Sequence, residues 1–205
     1  MLPAMLTKWT VGDTAVHLFV PDPGATRKTL GHEPANAIYW AKLWPSAIAL
    51  AGFLDKHHFY FDNKNVLELA AGLGLPGLFA AKYATRVTIS DRDPRAVELV
   101  EKSATANGLT NISALVIDWT DLSGVELPDT LLLSDINYEP EYFDQLYSML
   151  LRFIKAGVTV VLSTPQRLMA RDFISRLLLY SKSHTEEIVI HNGEKTIISV
   201  FILSE

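Results

Sequence analysis

Five short apolar runs, each followed by a segment of helical length or a turn, constrain this chain more than any other feature. They are "NVLEL" (65–69), "RVTIS" (86–90), "ISALVI" (112–117), "TLLLSDI" (130–136) and "VTVVLS" (158–163). Each has strand length and is apolar throughout, which fits strands buried on both faces. A helix is expected to open near Leu75-Pro76, because proline suits a first helical turn. Asp93-Pro94 offers an N-cap and a first-turn proline for a second helix, which Asn107-Gly108 ends. Further helices are expected over 140–154 and 166–180. Alternation of this kind predicts an α/β domain whose mostly parallel sheet is covered by helices on both sides. The end breaks the pattern: "EEIVIHNGEKTIISVFIL" (186–203) is two β runs joined through Asn192-Gly193, a strong hairpin signal.

The start differs from the rest. "TKWTVGDTAVHLFVPDP" (7–23) reads as short strands around Gly12-Asp13. Residues 1–37 are thus expected to form a β extension on a core over 38–205, all within one domain. From Ala37 to Leu54 apolar residues recur at spacings of three to five, predicting an amphipathic helix that Pro45 kinks or breaks. A length of 205 residues suits one such domain. The net charge of -5 argues against a broad nucleic-acid or membrane face. The absence of cysteine excludes disulfides, thiolate nucleophiles and cysteine-ligated metals. The N-terminus does not resemble a signal peptide, and no apolar run reaches the roughly 18 residues of a membrane span. A soluble, cytoplasmic protein is the expectation.

The turn after the first run contains G-L-G-L-P-G at Gly72, Gly74 and Gly77, the literal spacing of a dinucleotide-binding turn. Ligands of open α/β sheets bind beyond the carboxyl ends of the strands, so the place is right. The register is wrong for a pyrophosphate, since the turn begins at Ala70, before Gly72. Read from the strand, the pattern is E-x-A-x-G-x-G, with Glu68, Ala70, Gly72 and Gly74. A charged Glu68 near a buried strand end would be costly without a partner. A cationic or amino-bearing ligand such as S-adenosylmethionine would relieve it, whereas a pyrophosphate would aggravate it. The alternative is that Glu68 caps amides of the loop itself. Asp91 closes the next strand 19 residues after Gly72, where a carboxylate can grip two ribose hydroxyls. Asp118-Trp119 follows the third strand; the indole can lie against an adenine and Asp118 can accept from its amine. The six histidines show no ligand spacing, and no metal site is expected.

In order along the chain, "YWAKLWPSAIALAGFL", "VLELAAGLGLPGLFAA", "VTISDRDP", "LVIDW" and "LLLSDINYEPEYFDQL" resemble the class I methyltransferases. They most resemble the methyltransferase-like protein-lysine methyltransferases, over roughly Tyr39 to Pro165. That resemblance implies a Rossmann-like methyltransferase fold with a seven-stranded sheet ending in the antiparallel hairpin. It implies S-adenosylmethionine as cofactor and S-adenosylhomocysteine as product. Trp44, Gly72, Gly74, Asp91 with Arg92, Trp119 and Ser134 would surround the cofactor. Asp135 and Tyr138 would be the D-x-x-Y pair at the reacting end. Two positions depart from the pattern: Ala70 replaces the usual first glycine, tolerable at a negative φ, and "EPE" follows the tyrosine.

In this frame a protein lysine is the expected acceptor, and a small-molecule amine is the alternative. D-I-N-Y lacks the prolines of the nucleic-acid amino-methyltransferases, and Glu139, Glu141 and Asp144 are expected to crowd the mouth with negative charge. Nucleic acid is therefore an unfavoured acceptor. A nicotinamide-dependent oxidoreductase and an inactive cofactor-binding scaffold remain as readings from other classes. The expected oligomeric state is a monomer.

Overall fold

A computed structural model describes residues 2–30, 33 and 35–205 of the chain. His32, one of the scattered histidines, lies outside the described residues. Among the described residues, the strands are β1 (Ala4–Val11), β2 (Thr14–Pro21), β3 (Asn65–Leu69), β4 (Arg86–Asp91), β5 (Ile112–Val116), β6 (Thr130–Ser134), β7 (Thr159–Pro165), β8 (Ser181–His191) and β9 (Glu194–Leu203). The α-helices among them are α1 (Pro23–Leu30), α2 (Pro45–Lys56), α3 (Leu75–Ala80), α4 (Pro94–Ala106), α5 (Phe143–Lys155) and α6 (Arg171–Leu177). None of the described helices is long and apolar enough to cross a membrane.

The main sheet has seven strands in the order β5-β4-β3-β6-β7-β9-β8. The first five run parallel, and β9 then pairs antiparallel with both β7 and β8. This is the expected Rossmann-like methyltransferase arrangement with its terminal hairpin. The turn of that hairpin places Asn192 and Gly193 at φ of 51° and 80°, as a two-residue turn of this hand requires. Strand order reverses between β3 and β6, where Leu69 pairs with Leu133. The segments that leave these two strands therefore open a crevice at the carboxyl edge of the sheet.

Alternation along β3 divides the core. Leu67 and Leu69 pack with α5 and α6 residues such as Phe153 and Phe173. Val66 faces the other way, into the α2, α3 and α4 layer with Phe53, Phe79 and Val100. Glu68 points to that same layer and is fully buried. Its Oε2 accepts a 2.8 Å hydrogen bond from the Gly77 amide. That amide lies in the first turn of α3, where helical N–H groups have no partner within the helix. A Cβ on Gly77 would stand 2.5 Å from that same oxygen and 2.7 Å from Ile89 Cγ1, so the helix docks here through its backbone.

The break that Pro45 allowed is present: a 3-10 turn over Ala35–Ala41 precedes α2. Three expectations need correction. Residues 1–37 are not wholly β, because Asp22 caps α1 by accepting from the Ala25 amide at 2.7 Å. α6 is shorter than the expected 166–180, being flanked by 3-10 turns at Leu168–Ala170 and Leu178–Tyr180, and β8 starts earlier than expected, at Ser181. Ala70 has a φ of +51°, not the negative φ at which an alanine is tolerable.

The β1–β2 hairpin forms a separate two-stranded sheet, seated on α4 through side chains. The Phe19 amide donates to Ser103 Oγ and the His17 amide to Asn107 Oδ1, both at 2.9 Å. Val16 and Leu18 beneath are fully buried.

Two measurable consequences follow from β3 and its turn. Alanine in the left-handed region is strained by about 1–2 kcal/mol, so Ala70→Gly should raise the melting temperature by about 1–4 °C, part of the gain being lost to chain entropy. An unchanged or lower value would argue against the strain. For Glu68, burial is the largest influence; it outweighs the Gly77 amide and, aided by the charge of Asp91, pushes the carboxyl up from 4.5 to about 8. The folded state therefore holds this proton more tightly than the unfolded state, and stability falls as pH rises from about 4.5 to about 8. Glu68→Gln should flatten that slope, melting several degrees above the wild type at pH 8.5 and close to it at pH 4.5. Parallel melting-versus-pH curves for the two proteins would sink the assignment.

Candidate functional site

A cavity of about 1080 Å³ opens at the carboxyl edge of the sheet, between the segments that follow β3, β4, β5, β6 and β7. Its floor is the β3–α3 turn. The Ala71 amide donates to Ser90 O at 2.9 Å, and the Gly72 amide donates to Asp91 Oδ2 at 2.8 Å. Asp91 Oδ1 accepts from the Asp93 amide at 3.0 Å. One carboxylate thus fixes the turns after both β3 and β4. Burial pushes the Asp91 carboxyl up, and these two amides oppose the shift. Gly72 has a φ of +55°, and a Cβ there would meet Trp40 O at 3.2 Å. Asp93 is the expected cap of α4, accepting from the Arg95 amide at 2.8 Å.

Ala70, Gly72, Asp91, Arg92, Asp118, Trp119, Ser134, Asp135, Tyr138 and Trp44 all line this one cavity. Two expected residues do not. Glu68 is spent on the Gly77 amide on the far side of the turn, so the acid that motivated a cationic ligand does not face it. Gly74 also lies beneath the floor, at the N-terminus of α3, where an added Cβ would be 3.1 Å from both Ile89 and Val100. Its role there is helix-to-sheet packing.

One wall is aromatic. Trp44 Nε1 donates to Tyr39 O at 2.8 Å, and the Tyr39 ring stands edge-on to Trp44 at 5.7 Å and to Tyr138 at 5.4 Å. Opposite, Trp119 meets Tyr142 edge-on at 6.1 Å. The neighbouring Asp118 Oδ1 accepts from the Thr120 amide and hydroxyl at 2.9 and 2.8 Å, which orients the loop after β5.

Asp135 follows the last residue of β6 at a φ of +57°, tied to the sheet where its amide donates to Ser163 O at 2.9 Å. That turn carries its side chain to the cavity wall, largely buried. Arg167 Nη1 donates to Asp135 Oδ1 at 2.5 Å. Tyr138 is half-buried, and burial first, then the neighbouring charge of Glu139, pushes its phenol up, so the hydroxyl is protonated at neutral pH. Of the three acids expected to crowd the mouth, only Glu139 lines the cavity. Asp144 turns outward to an ion pair with Arg176 at 2.6 Å. Among the described residues no group of three or more His, Asp or Glu is placed to hold a metal.

Sequence reasoning missed Tyr39, Tyr142 and Arg167. The first two sit within quoted stretches but have no chemical signature distinguishing them from core aromatics. Arg167 stands 32 residues beyond its carboxylate, and only the pairing of β6 with β7 brings it there.

Known proteins share this architecture and sequence. The 16S rRNA methyltransferase RsmC of Thermus thermophilus, solved with AdoMet and guanosine, superposes with a TM-score of 0.66 at 14% identity, over 98% of this chain and 51% of that one. A putative RNA methyltransferase from Pyrococcus horikoshii superposes at 0.62 and 15% identity, over 77% of this chain and 83% of that one. At such identities the likeness is one of fold. In sequence, the human histone-arginine methyltransferase METTL23 is 30% identical over 144 residues, covering 67% of this chain and 76% of that protein. The protein N-lysine methyltransferase METTL21A of Xenopus tropicalis is 29% identical over 171 residues, covering 78% and 79%. The profile of one family, described as lysine methyltransferase, matches residues 32–179. Spanning most of the sequence, that match means the chain belongs to the lysine methyltransferase family.

Proposed function

We propose that this protein is an S-adenosylmethionine-dependent methyltransferase that N-methylates a lysine side chain of a protein substrate. The observation that carries the reading is one cavity lined by both the Gly72–Asp91 floor and the Asp135–Tyr138 pair. The floor suits the cofactor. Each Asp91 oxygen accepts one backbone amide, and a carboxylate oxygen has room for a second donor, so ribose hydroxyls can bind without breaking the turn. Asp118, Trp119, Arg92, Ser134 and Trp44 would complete the cradle, with the indole of Trp119 against the adenine. The cofactor supplies a methyl carbon already activated by its sulfonium, so no protein nucleophile is needed.

The remaining work concerns the acceptor. A lysine amine with a pKa near 10.4 is only about one part in 10³ neutral at pH 7. Asp135 would hold the entering ammonium, which releases one proton to solvent, and then align the neutral amine, while the Tyr138 hydroxyl accepts or donates beside it. A cationic site next to the amine lowers its pKa by like-charge repulsion. Rate then comes mainly from orientation. The walls of Tyr39, Trp44, Trp119 and Tyr142 would keep water from the reacting groups.

A second acceptor, an arginine side chain, is favoured by one observation: the guanidinium of Arg167 already fits against Asp135. METTL23 is named for histone arginine. A small amine is the third outcome that the test below can return. The cysteine-free sequence supports a reducing, cytoplasmic setting, and we read the protein as a monomer, to be checked by light scattering.

S-adenosylhomocysteine should raise the melting temperature by several degrees, and NAD should leave it unchanged. With labelled cofactor and cell extract, label should enter protein bands and appear as methyl-lysine on hydrolysis. Asp135→Ala should reduce the labelling on the order of 10²-fold and Tyr138→Phe about 10-fold. Methyl-arginine in the hydrolysate would move the assignment to the second acceptor, and label confined to small molecules or RNA would sink both.

A further inference from the structure

Arg167 is the cation that Asp135 holds, and the two sides of that pair are unequally anchored. Asp135 stands directly after β6, its amide bonded to Ser163 O and its side chain about nine-tenths buried. Arg167 comes from the irregular segment between β7 and α6, and its side chain is 26% exposed. Leu168 and Met169 beside it are 93% and 49% exposed, so they pack little against Arg167, while Gln166, bonded to Glu186, and the buried Ala170 hold the ends of the segment. The contact runs from Nη1 to Oδ1 alone, a single tooth instead of the two-pronged fork that makes arginine–carboxylate pairs strong. Both residues line the cavity in which the acceptor nitrogen must sit.

We infer that Arg167 is a displaceable internal counter-ion: it neutralises Asp135 in the free enzyme, and the cationic acceptor side chain must take its place. This rests on the acceptor reading above. A largely buried carboxylate with no partner is costly, so the free site needs a positive charge. A bound acceptor brings its own, and three cations (acceptor, sulfonium and guanidinium) around one carboxylate would repel. Departure of Arg167 removes that repulsion. Because a neutral acceptor cannot compete for Asp135, the pair selects for cationic side chains, and Arg167 is a specificity-determining residue.

The test measures binding without turnover. Enzyme saturated with S-adenosylhomocysteine is titrated with Nα-acetyl-lysine methylamide and, separately, Nα-acetyl-arginine methylamide, by calorimetry or NMR. Arg167→Ala should tighten binding of the cationic probe about 5-fold, the scale of a partly exposed ion pair. Arg167→Lys, a folded control that keeps the charge, should lie between it and the wild type. The gain should vanish in Arg167→Ala combined with Asp135→Asn. In steady state with the protein substrate, Arg167→Ala should lower KM without lowering kcat. Unchanged or weaker probe binding, or a fall in kcat, would mean that Arg167 stays in place to position Asp135 and would overturn the inference. If the gain in binding is seen while no protein accepts label, the acceptor reading fails and the counter-ion role stands.

Discussion

The Asp91 carboxylate is the constraint on which the site depends. Its two oxygens accept the Gly72 and Asp93 amides, so one side chain sets the backbone after β3 and after β4 together. Strand pairing alone would leave both turns free beyond the sheet edge. With them joined, Ala70 and Gly72 hold left-handed conformations that their own preferences do not secure, and the cavity floor is shaped by the protein's own hydrogen bonds. The residue proposed to hold a ribose is therefore a structural tie in its own right, so a substitution at Asp91 alters the architecture of both turns.

Much of the fold was legible because local signals agreed with one another. Apolar strands of even length, Asp93-Pro94 and Asn192-Gly193 each read the same way from propensity, capping and pattern, and their elements stand where expected. Misses occurred at the ends of elements. The helix expected over 166–180 is divided between 3-10 turns and α6, and α1 carries the same Asp-Pro start as α4, at Asp22-Pro23, in a stretch read as β from the strands before it.

The site was legible by residue type and less so by direction. Asp91 ends its strand and Trp119, Asp135 and Tyr138 follow theirs, where the chain has few places to send a side chain other than the crevice. Glu68 lies one residue inside that limit, and the pleat turns it away from the crevice side. A sequence shows that an acid is buried near a strand end; it does not show which of two faces receives it. Electrostatic reasoning from Glu68 reached S-adenosylmethionine, yet the carboxyl solves a folding problem, the unpaired first turn of α3.

The β1–β2 hairpin bears on how the molecule opens. Its His17 and Phe19 amides bond to Asn107 and Ser103 of α4 and not to another strand, and Asn107 also returns a bond to His17 O at 2.7 Å. At its other end α4 is capped by Asp93, the residue whose amide Asp91 holds. Hairpin and helix thus form one cooperative unit. Solvent exchange at amides 17 and 19 reports on a helix whose first turn borders the cavity, so the N-terminal segment is a remote gauge of the order of the cavity floor.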